Sequence, residues 1–384
     1  MYNFKRIFLF FFLSSVTTFS FGQNKITFLL KQPSLLHSMD NIYAAGSFNL
    51  WSTSDKSFLF SKSNNGIDSL TISLPPGNYE YKFTRGNWEK VETDSLGKGI
   101  QNRTLKLNSD TTILINILGW NDDFKQNQST SKKNNSASVN VKIIDTAFYI
   151  PQLKRNRRIW LYLPPDYSKS GKKYPVLYMH DGQNIFENAT SYSGEWGVDE
   201  YLDSIFKSGK KEVIVVGIDN GNFKRMSEYN PWEFQNFGKG EGDQYVDFLV
   251  KTLKPFIDKH YRTLKDKPNT FIAGSSMGGL ISLYAVLKYP QVYGGAGIFS
   301  PAFWTASGID SVVISKSGKM NSKLFFYAGG KEGDAMVPDM KRIEKEIQAR
   351  SKSAVKELID PDAKHNEAAW RKYFGDFYEW TVGN

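Results

Sequence analysis

The regular alternation of strand-like and helix-like segments after residue 140 limits the possible folds of this chain more than any other feature. Seven segments are apolar and rich in β-branched or aromatic residues, and helical patterns lie between the later ones. Such alternation favours a mostly parallel β-sheet covered by helices on both faces, with functional residues at the carboxyl ends of the strands. The strand-like segments are 158–163, 176–180, 213–218, 269–273, 295–299, 323–328 and 355–359, and the helical ones are 242–261, 278–288 and 339–351.

The residues before 121 follow a different pattern. Short strand-like segments at 25–30, 41–45, 69–74, 79–84 and 111–117 are separated by turn sequences rich in Gly, Pro and Asn. Since no helical pattern interrupts them, residues 25–120 are predicted to form an immunoglobulin-like β-sandwich. Residues 121–140 contain few apolar side chains and predict a flexible linker. We therefore expect two domains, the second of which spans residues 141–384.

Residues 1–22 have the pattern of a signal peptide. Lys5 and Arg6 precede a mostly apolar run, and Ser20 and Gly22 supply small side chains that favour cleavage before Gln23. An uncleaved N-terminal membrane anchor is the alternative interpretation. Because the other apolar runs fall short of the roughly 20 residues that a spanning helix needs, we expect a secreted or periplasmic protein without stable membrane insertion after cleavage.

The composition excludes several classes of site. The chain has no cysteine, which excludes disulfides, thiolate nucleophiles and cysteine-ligated zinc. It has four histidines, which disfavours a histidine-rich metal site, and we predict neither a metal nor a cofactor. The net charge is +10, but the basic residues are scattered and no nucleic-acid-binding motif is present. Nucleic acid is therefore not an expected partner.

One glycine-rich motif carries the strongest chemical signal. Residues 274–278 read Gly-Ser-Ser-Met-Gly and join a predicted strand to a predicted helix. In this G-x-S-x-G context the central serine lies on a sharp turn that exposes its hydroxyl, which makes Ser276 the candidate nucleophile. The N–H of Met277, at the start of the helix, can donate to a developing oxyanion. The alternative is an inert serine in a tight turn.

A serine nucleophile needs a base and an acid. His365 follows the last predicted strand, which suits hydrolases with the chain order serine, acid, histidine. Of the other histidines, His37 lies in the first domain, and His180 and His260 precede the serine. The acid should follow strand 323–328, where Glu332 is the favoured candidate and Asp334 the alternative, because spacing alone does not separate them.

The loop after strand 176–180 is the expected source of a second oxyanion donor. Its Gly182 allows close approach of the backbone, and the N–H of Gln183 is the candidate donor. His180 and Asp181 are expected to support this loop. Aromatic residues within 192–196, 229–237 and 303–304 are expected to line the substrate pocket, and residues 228–232 to form either a substrate loop or a packing loop.

Several segments of residues 141–384 together match one known family: His180–Asn184, Gly240–Asp243, Leu253–Ile257, Gly274–Gly279, Phe299–Pro301, Gly329–Glu332 and His365. In these segments the domain resembles the putative esterase family, which includes esterase D, feruloyl esterases and enterochelin esterases. The resemblance implies an α/β-hydrolase fold and an ester hydrolase without a metal, in which Ser276, Glu332 and His365 form the triad. Members often have aspartate at the acid position, whereas this sequence has glutamate.

Four segments of the first predicted domain, 43–51, 76–83, 86–88 and 102–103, also match a known pattern. In these segments, residues 25–120 resemble starch- and glycogen-type carbohydrate-binding modules. It implies that Trp51 and Trp88 stack on sugar faces, while Lys82 and Asn102 form hydrogen bonds with sugar hydroxyls. An α-glucan or another polysaccharide is the implied partner. A purely structural packing domain is the alternative.

These features together predict a secreted serine carboxylesterase that forms an acyl-enzyme on Ser276. The expected substrates are acetyl or feruloyl esters carried by a polysaccharide. A siderophore esterase of the enterochelin type, an acyltransferase and a non-catalytic carbohydrate-binding protein are the alternatives. The sequence does not determine the oligomeric state.

Overall fold

The computed structural model of the protein describes residues 22–33, 37, 39–49, 51–63, 66–125, 135–191, 194–234 and 238–383. The chain divides into two compact units, residues 1–131 and 132–384. Within the described part of the chain, no helix is long and apolar enough to cross a membrane.

The second unit is built on a mixed sheet that eight strands of the described residues form in the order β16-β15-β14-β13-β11-β12-β10-β9. Strands β11 to β16 are parallel to one another, as the alternating pattern predicts. Strands β10 and β9 extend the sheet in antiparallel orientation. The strands are β9 (Val141–Ile150), β10 (Arg155–Tyr162), β11 (Val176–His180), β12 (Ile214–Ile218), β13 (Thr270–Ser275), β14 (Gly295–Phe299), β15 (Lys323–Gly329) and β16 (Ala354–Asp360).

Helices cover both faces of this sheet. Along β11, Val176 and Tyr178 belong to one buried cluster with residues of α4 to α8, whereas Leu177 and Met179 belong to a second cluster with residues of α2 and α9. This alternation follows from the strand geometry, in which successive side chains point to opposite faces. The helices are α2 (Val198–Phe206), α3 (Arg225–Glu228), α4 (Gly242–Phe248), α5 (Lys254–His260), α6 (Met277–Lys288), α7 (Ile309–Lys316), α8 (Met336–Arg350) and α9 (Glu367–Thr381), with a π-helical segment, Leu249–Leu253, between α4 and α5.

The predicted segments match the interior of the sheet better than its edge. Strands β11 and β14 have the predicted bounds, because both are buried along their whole length and read as continuous apolar runs. Strand β9 was not predicted: it lies at the sheet edge, and most of its residues are at least partly exposed. Helices α2, α7 and α9 were also not predicted.

The first unit consists of short strands without a long helix in its described residues. Two three-stranded sheets, in the orders β3-β1-β7 and β2-β4-β6, contribute to one buried core. The predominance of short strands agrees with the pattern of the sequence, whereas the immunoglobulin-like β-sandwich stays a prediction. The elements are β1 (Asn24–Lys31), β2 (Tyr43–Gly46), β3 (Ile67–Leu74), β4 (Gly77–Thr84), β5 (Glu92–Thr93), β6 (Arg103–Leu107), β7 (Thr111–Asn116), β8 (Gly119–Trp120) and α1 (Asn121–Lys125).

Both ends of the predicted 121–140 linker have structure of their own. At its start, helix α1 belongs to the first unit, where Asp122 forms an ion pair with Arg85. At its end, the Ser138 N–H donates to Asp199 at 2.6 Å, and the Asn140 side chain donates to Asp203 at 2.8 Å. Polar residues that suggest a linker can therefore also hold chain ends in place through hydrogen bonds. Residues 126–134 and residues 1–21 of the predicted signal peptide lie outside the described residues.

Candidate active site

Ser276 occupies the corner between β13 and α6. Its backbone has φ 58° and ψ −119°, a conformation that is strained for a residue with a side chain. Hydrogen bonds on both sides hold it: its N–H donates to the Phe299 carbonyl at 2.9 Å, and its carbonyl accepts from the N–H groups of Leu280 and Ala302, each at 3.1 Å. A strained serine at a strand-to-helix corner is the geometry that the motif predicts for a nucleophile.

The glycines around Ser276 are sterically required. A Cβ atom on Gly274 would lie 3.0 Å from the backbone of Gly278, and one on Gly279 would lie 2.8 Å from the Phe299 carbonyl oxygen. The first contact would push the helix away from the strand, and the second would separate the helix from β14. Packing at the corner therefore requires Gly274 within the motif and Gly279 directly after it.

Glu332 and His365 form a close pair at the carboxyl end of the sheet. The Glu332 Oε2 atom lies 2.8 Å from His365 Nδ1. The other carboxylate oxygen accepts hydrogen bonds from the Gly329 N–H at 2.6 Å and the Ser300 hydroxyl at 2.7 Å. The Glu332 side chain is fully buried, whereas Asp334 is exposed. Of the two acids left open by the sequence, Glu332 is the one in contact with the histidine.

Ser300 connects this pair to the corner at Ser276. It directly follows Phe299, whose carbonyl accepts the Ser276 N–H, and its hydroxyl accepts from the Trp370 indole N–H at 2.9 Å. The same indole packs edge-on against the His365 ring, with ring centroids 5.1 Å apart. Ser300 and Trp370 therefore position the acid and the histidine relative to the strand beside Ser276.

The loop after β11 lies beside the corner at Ser276. Asp181 has a left-handed backbone with φ 58°, and a Cβ on Gly182 would lie 2.9 Å from backbone atoms of residues 217–219. The Gln183 side chain accepts from the Asn220 N–H at 3.1 Å, and the Gln183 carbonyl accepts from the Thr190 hydroxyl at 2.7 Å. These contacts hold the side chain and the carbonyl of Gln183, the residue that carries the predicted second oxyanion donor, and neither of them uses the Gln183 N–H.

His180 and Asp181 support this loop from within the core. The His180 ring contacts the Tyr245 hydroxyl at 3.0 Å, and burial lowers the pKa of His180 to about 3, so the ring is neutral. Burial by itself would raise the pKa of Asp181, but the Arg225 guanidinium outweighs burial and the net pKa is lowered. Asp181 is therefore a buried anion paired with a cation.

The aromatic segments divide between core and surface. Tyr229 is fully buried against His180 and Tyr245, and Glu228 is a buried anion paired with Arg157. This burial favours a packing loop over a substrate loop for residues 228–232. Phe303 is also buried, whereas 44% of Trp304 is exposed. Residues 192–193 and 235–237 lie outside the described residues.

In the first unit, two of the four predicted sugar-binding residues meet. The rings of Trp51 and Trp88 lie 6.1 Å apart and are inclined by 43°, and both remain partly exposed. Asn102 instead donates to Glu80 at 2.9 Å. Burial lowers the pKa of Lys82, although the nearby carboxylate of Glu92 opposes this shift. Among the described contacts of these four residues, the indole pair is the one that joins two of them.

Comparison with known proteins identifies the family of the second unit. The Putative esterase family matches residues 150–376. The chain belongs to this family. It is therefore a carboxylesterase, an enzyme that hydrolyses carboxylic esters.

Two relatives and one solved structure are similar to this chain. The esterase is 28% identical over 245 residues to the uncharacterised protein YbbA of Bacillus subtilis, with 59% of this chain and 93% of YbbA covered. It is 28% identical over 218 residues to an endo-1,4-beta-xylanase/feruloyl esterase of Xylanibacter ruminicola, with 55% of this chain but 27% of that protein covered. An enterobactin esterase structure from Shigella flexneri superposes with a TM-score of 0.51 at 15% identity, covering 95% of this chain and 99% of that one, which shows a shared fold.

Sequence reasoning missed three supporting residues of this esterase. Ser300 and Trp370 hold the acid and the histidine, and Arg225 pairs with Asp181. Ser300 directly follows β14, and a polar residue at the carboxyl end of a parallel strand is a usable signal. Trp370 lies in a helix that was not predicted, and Arg225 lies in a four-residue helix without a recognisable pattern.

Proposed function

We propose that this esterase uses Ser276 as its nucleophile, His365 as its base and Glu332 as the acid that orients the histidine. The Ser276 hydroxyl attacks the ester carbonyl carbon while His365 accepts its proton. The carbonyl electron pair moves onto oxygen, and the N–H groups of Met277 and Gln183 donate to this oxyanion. When the carbonyl re-forms, the alcohol leaves with the proton from His365 and the acyl group stays on Ser276.

A water molecule completes the cycle by the same steps. His365 removes a proton from the water, which attacks the acyl carbon and forms a second oxyanion at the same donors. Collapse releases the carboxylic acid, and the proton returns to Ser276. Throughout both halves, Glu332 keeps the Nδ1–H of His365 engaged, so that Nε2 is the atom that exchanges protons.

The observation that carries this proposal is the contact between Glu332 and His365. A fully buried carboxylate 2.8 Å from an imidazole nitrogen fixes the tautomer and stabilises the imidazolium that forms during the reaction. Its second oxygen is held by Ser300, next to the residue that anchors the Ser276 backbone. The acid, the histidine and the strained serine thus share one hydrogen-bonded scaffold.

Acetyl or feruloyl esters of a polysaccharide are the proposed substrates, and the protein is proposed to be secreted after removal of residues 1–22. The Trp51–Trp88 pair supports a sugar-binding role for the first unit, since apolar ring faces suit the C–H faces of sugars. Lys82 and Asn102 are the proposed hydrogen-bonding partners. The relative from Xylanibacter ruminicola is a xylanase/feruloyl esterase, which supports an ester carried on a plant polysaccharide.

Substitution of the nucleophile tests the mechanism. The Ser276→Ala variant should lose at least about a thousandfold in turnover of aryl acetates and feruloyl sugars and should keep its melting temperature. A fluorophosphonate probe should label the parent protein and leave the variant unlabelled. Retained turnover, or labelling at another serine, would refute the assignment.

A second experiment tests the polymeric substrate. In the full chain, the Trp51→Ala/Trp88→Ala double variant should hydrolyse a soluble feruloyl trisaccharide at the parental rate but insoluble feruloylated xylan severalfold more slowly. Tyr149→Ala is the control, because it removes an exposed aromatic ring from β9 of the other unit. Equal rates of the parent and the double variant on the polymer would show that the indole pair does not deliver this substrate.

A siderophore esterase is the second candidate. The fold similarity to the Shigella flexneri enterobactin esterase covers 95% of this chain, beyond the esterase unit alone, and that likeness favours the candidate. Incubation of the protein with enterobactin and with its ferric complex, followed by chromatography of the products, tests it. Release of dihydroxybenzoyl-serine faster than feruloyl-sugar cleavage would favour it over the polysaccharide ester. Intact enterobactin under conditions that cleave an aryl ester would exclude it.

A further inference from the structure

The two proposed oxyanion donors belong to segments far apart in the sequence. Gln183 lies in the loop after β11, and Met277 lies at the start of α6. Stabilisation of an oxyanion requires both N–H groups within about 2.7–3.1 Å of one oxygen, so the separation of the two segments matters as much as the position of each. A residue that contacts both segments can set this separation.

Arg225 makes both contacts. Its Nε donates to Asp181 Oδ1 at 2.6 Å, and its Nη2 donates to Asp181 Oδ2 at 2.8 Å and to the Ser275 carbonyl at 3.3 Å. Asp181 precedes Gln183 by two residues, and Ser275 precedes Met277 by two residues. The guanidinium therefore contacts each of the two segments at a residue two positions before the proposed oxyanion donor.

The surroundings of Arg225 make this bridge rigid. The guanidinium lies over the Tyr229 ring, 5.2 Å from its centroid, and Asp181 is buried and also accepts from the Asn220 amide at 2.7 Å. The Asn220 N–H in turn holds the Gln183 side chain. A bidentate pair between a planar guanidinium and a carboxylate fixes orientation as well as distance, which an ammonium group cannot do.

We propose that Arg225 is a positioning residue that holds the two oxyanion donors at the separation required in the transition state. This rests on the proposed function, in which Gln183 and Met277 are the donors. Arg225 acts through Asp181 and the Ser275 carbonyl. Loss of its fork should weaken binding of the tetrahedral oxyanion and leave binding of the ground-state ester little changed.

The Arg225→Lys variant tests this, because it keeps the positive charge and removes the planar fork. With an aryl acetate, kcat should fall at least about tenfold while KM stays within about twofold, since a displaced donor affects the transition state alone. An aryl trifluoromethyl ketone, which adds to the serine to give a tetrahedral oxyanion, should bind more weakly by the same factor as the loss in kcat/KM. Asp181→Asn, which keeps the size of the side chain, should give a smaller loss, and the two losses should not add.

Arg155→Lys is the matched control. The Arg155 side chain is 26% exposed, against 24% for Arg225, and it also forms a forked pair, with Glu241, and a bond to Glu228 in the same short helix α3. It contacts neither oxyanion segment among its described hydrogen bonds. Its kcat and its inhibition constant should stay within about twofold of the parent, even if its melting temperature falls as much as that of Arg225→Lys.

The outcomes separate this proposal from the proposed function. If the parent is active and Ser276→Ala is not, but Arg225→Lys matches Arg155→Lys in kcat and in inhibition, the positioning role is wrong and the nucleophile assignment stands. A rise in KM alone would likewise overturn the positioning role, because it indicates a substrate contact. If Ser276→Ala keeps its activity, the proposed function itself fails. If Arg225→Lys does not fold, Asp181→Asn decides by the same two measurements.

Discussion

Replacement of Glu332 by glutamine removes the negative charge beside His365 and keeps the size of the side chain. The glutamine oxygen can still accept from the Gly329 N–H and the Ser300 hydroxyl, which now hold Glu332 at 2.6 and 2.7 Å. The amide NH2 then faces His365 Nδ1, which favours the tautomer that carries its proton on Nε2. That tautomer cannot accept the proton of Ser276, so the exchange removes both the charge and the correct orientation.

The magnitude follows from the charge pair in the transition state. The imidazolium that forms on His365 and the Glu332 carboxylate have charge centres about 4 Å apart, which corresponds to about 4 kcal/mol at an effective dielectric constant of about 20. Since about 1.36 kcal/mol equals a factor of ten in rate, kcat/KM should fall about a thousandfold. The melting temperature should change little, because the two hydrogen bonds to the Glu332 position are kept.

Steady-state kinetics with an aryl acetate measure this, with Asp334→Asn as the control. Asp334 is exposed, so its variant should keep kcat/KM within about twofold of the parent. An activity of Glu332→Gln above about a tenth of the parent would show that the Glu332 charge does not stabilise the imidazolium of His365. A larger loss in Asp334→Asn than in Glu332→Gln would assign the acid to the other carboxylate.

Three further predictions concern packing, positioning and pH. Gly182→Ala should lose most of its activity and melt at a lower temperature, because its Cβ would lie 2.9 Å from backbone atoms of residues 217–219, at the end of β12; parental activity would contradict this. Trp370→Phe removes the donor to Ser300 and should lower kcat severalfold with a small change in melting temperature, and an unchanged kcat would count against the positioning of the acid by this contact. Burial, and to a lesser extent the carboxylate of Glu357, raises the pKa of Glu344 to about 7. The contribution of this group to folding stability is therefore fully present below its unfolded pKa of about 4.5 and is lost as the pH rises to about 7. In the Glu344→Gln variant the melting temperature should therefore decline less between pH 5 and 8 than in the parent. An equal decline in both proteins would show that ionisation of Glu344 does not affect stability.

The interior of the esterase unit could be predicted from its sequence because its signals are local. Strands β11 and β14 are buried on both faces and read as unbroken apolar runs, and the corner at Ser276 requires glycines at fixed positions for steric reasons. The edge strand β9 and the helices α2, α7 and α9 have mixed polar and apolar sequences that several conformations can accommodate, and their positions depend on the surface they cover.

The site shows the same division between local and tertiary information. The G-x-S-x-G motif selected Ser276, and the order of serine, acid and histidine along the chain selected His365. Ser276 lies between β13 and α6, and His365 lies in the loop between β16 and α9. The choice between Glu332 and Asp334 could not be made from the sequence, since both carboxylates follow the same strand and lie two positions apart. Only the turn after β15 buries one of them against the histidine and leaves the other in solvent.

The corner at Ser276 is encoded locally, because the strand, the glycine-flanked serine and the helix follow one another directly along the chain. Which distant groups meet around it depends on the fold: the Trp370 indole donates to Ser300, the Ser300 hydroxyl donates to Glu332, and the Arg225 guanidinium binds Asp181 and the Ser275 carbonyl. Hydrogen bonds and ion pairs act over a few ångströms in space, so residues separated by tens of positions come within that range only when the sheet has formed.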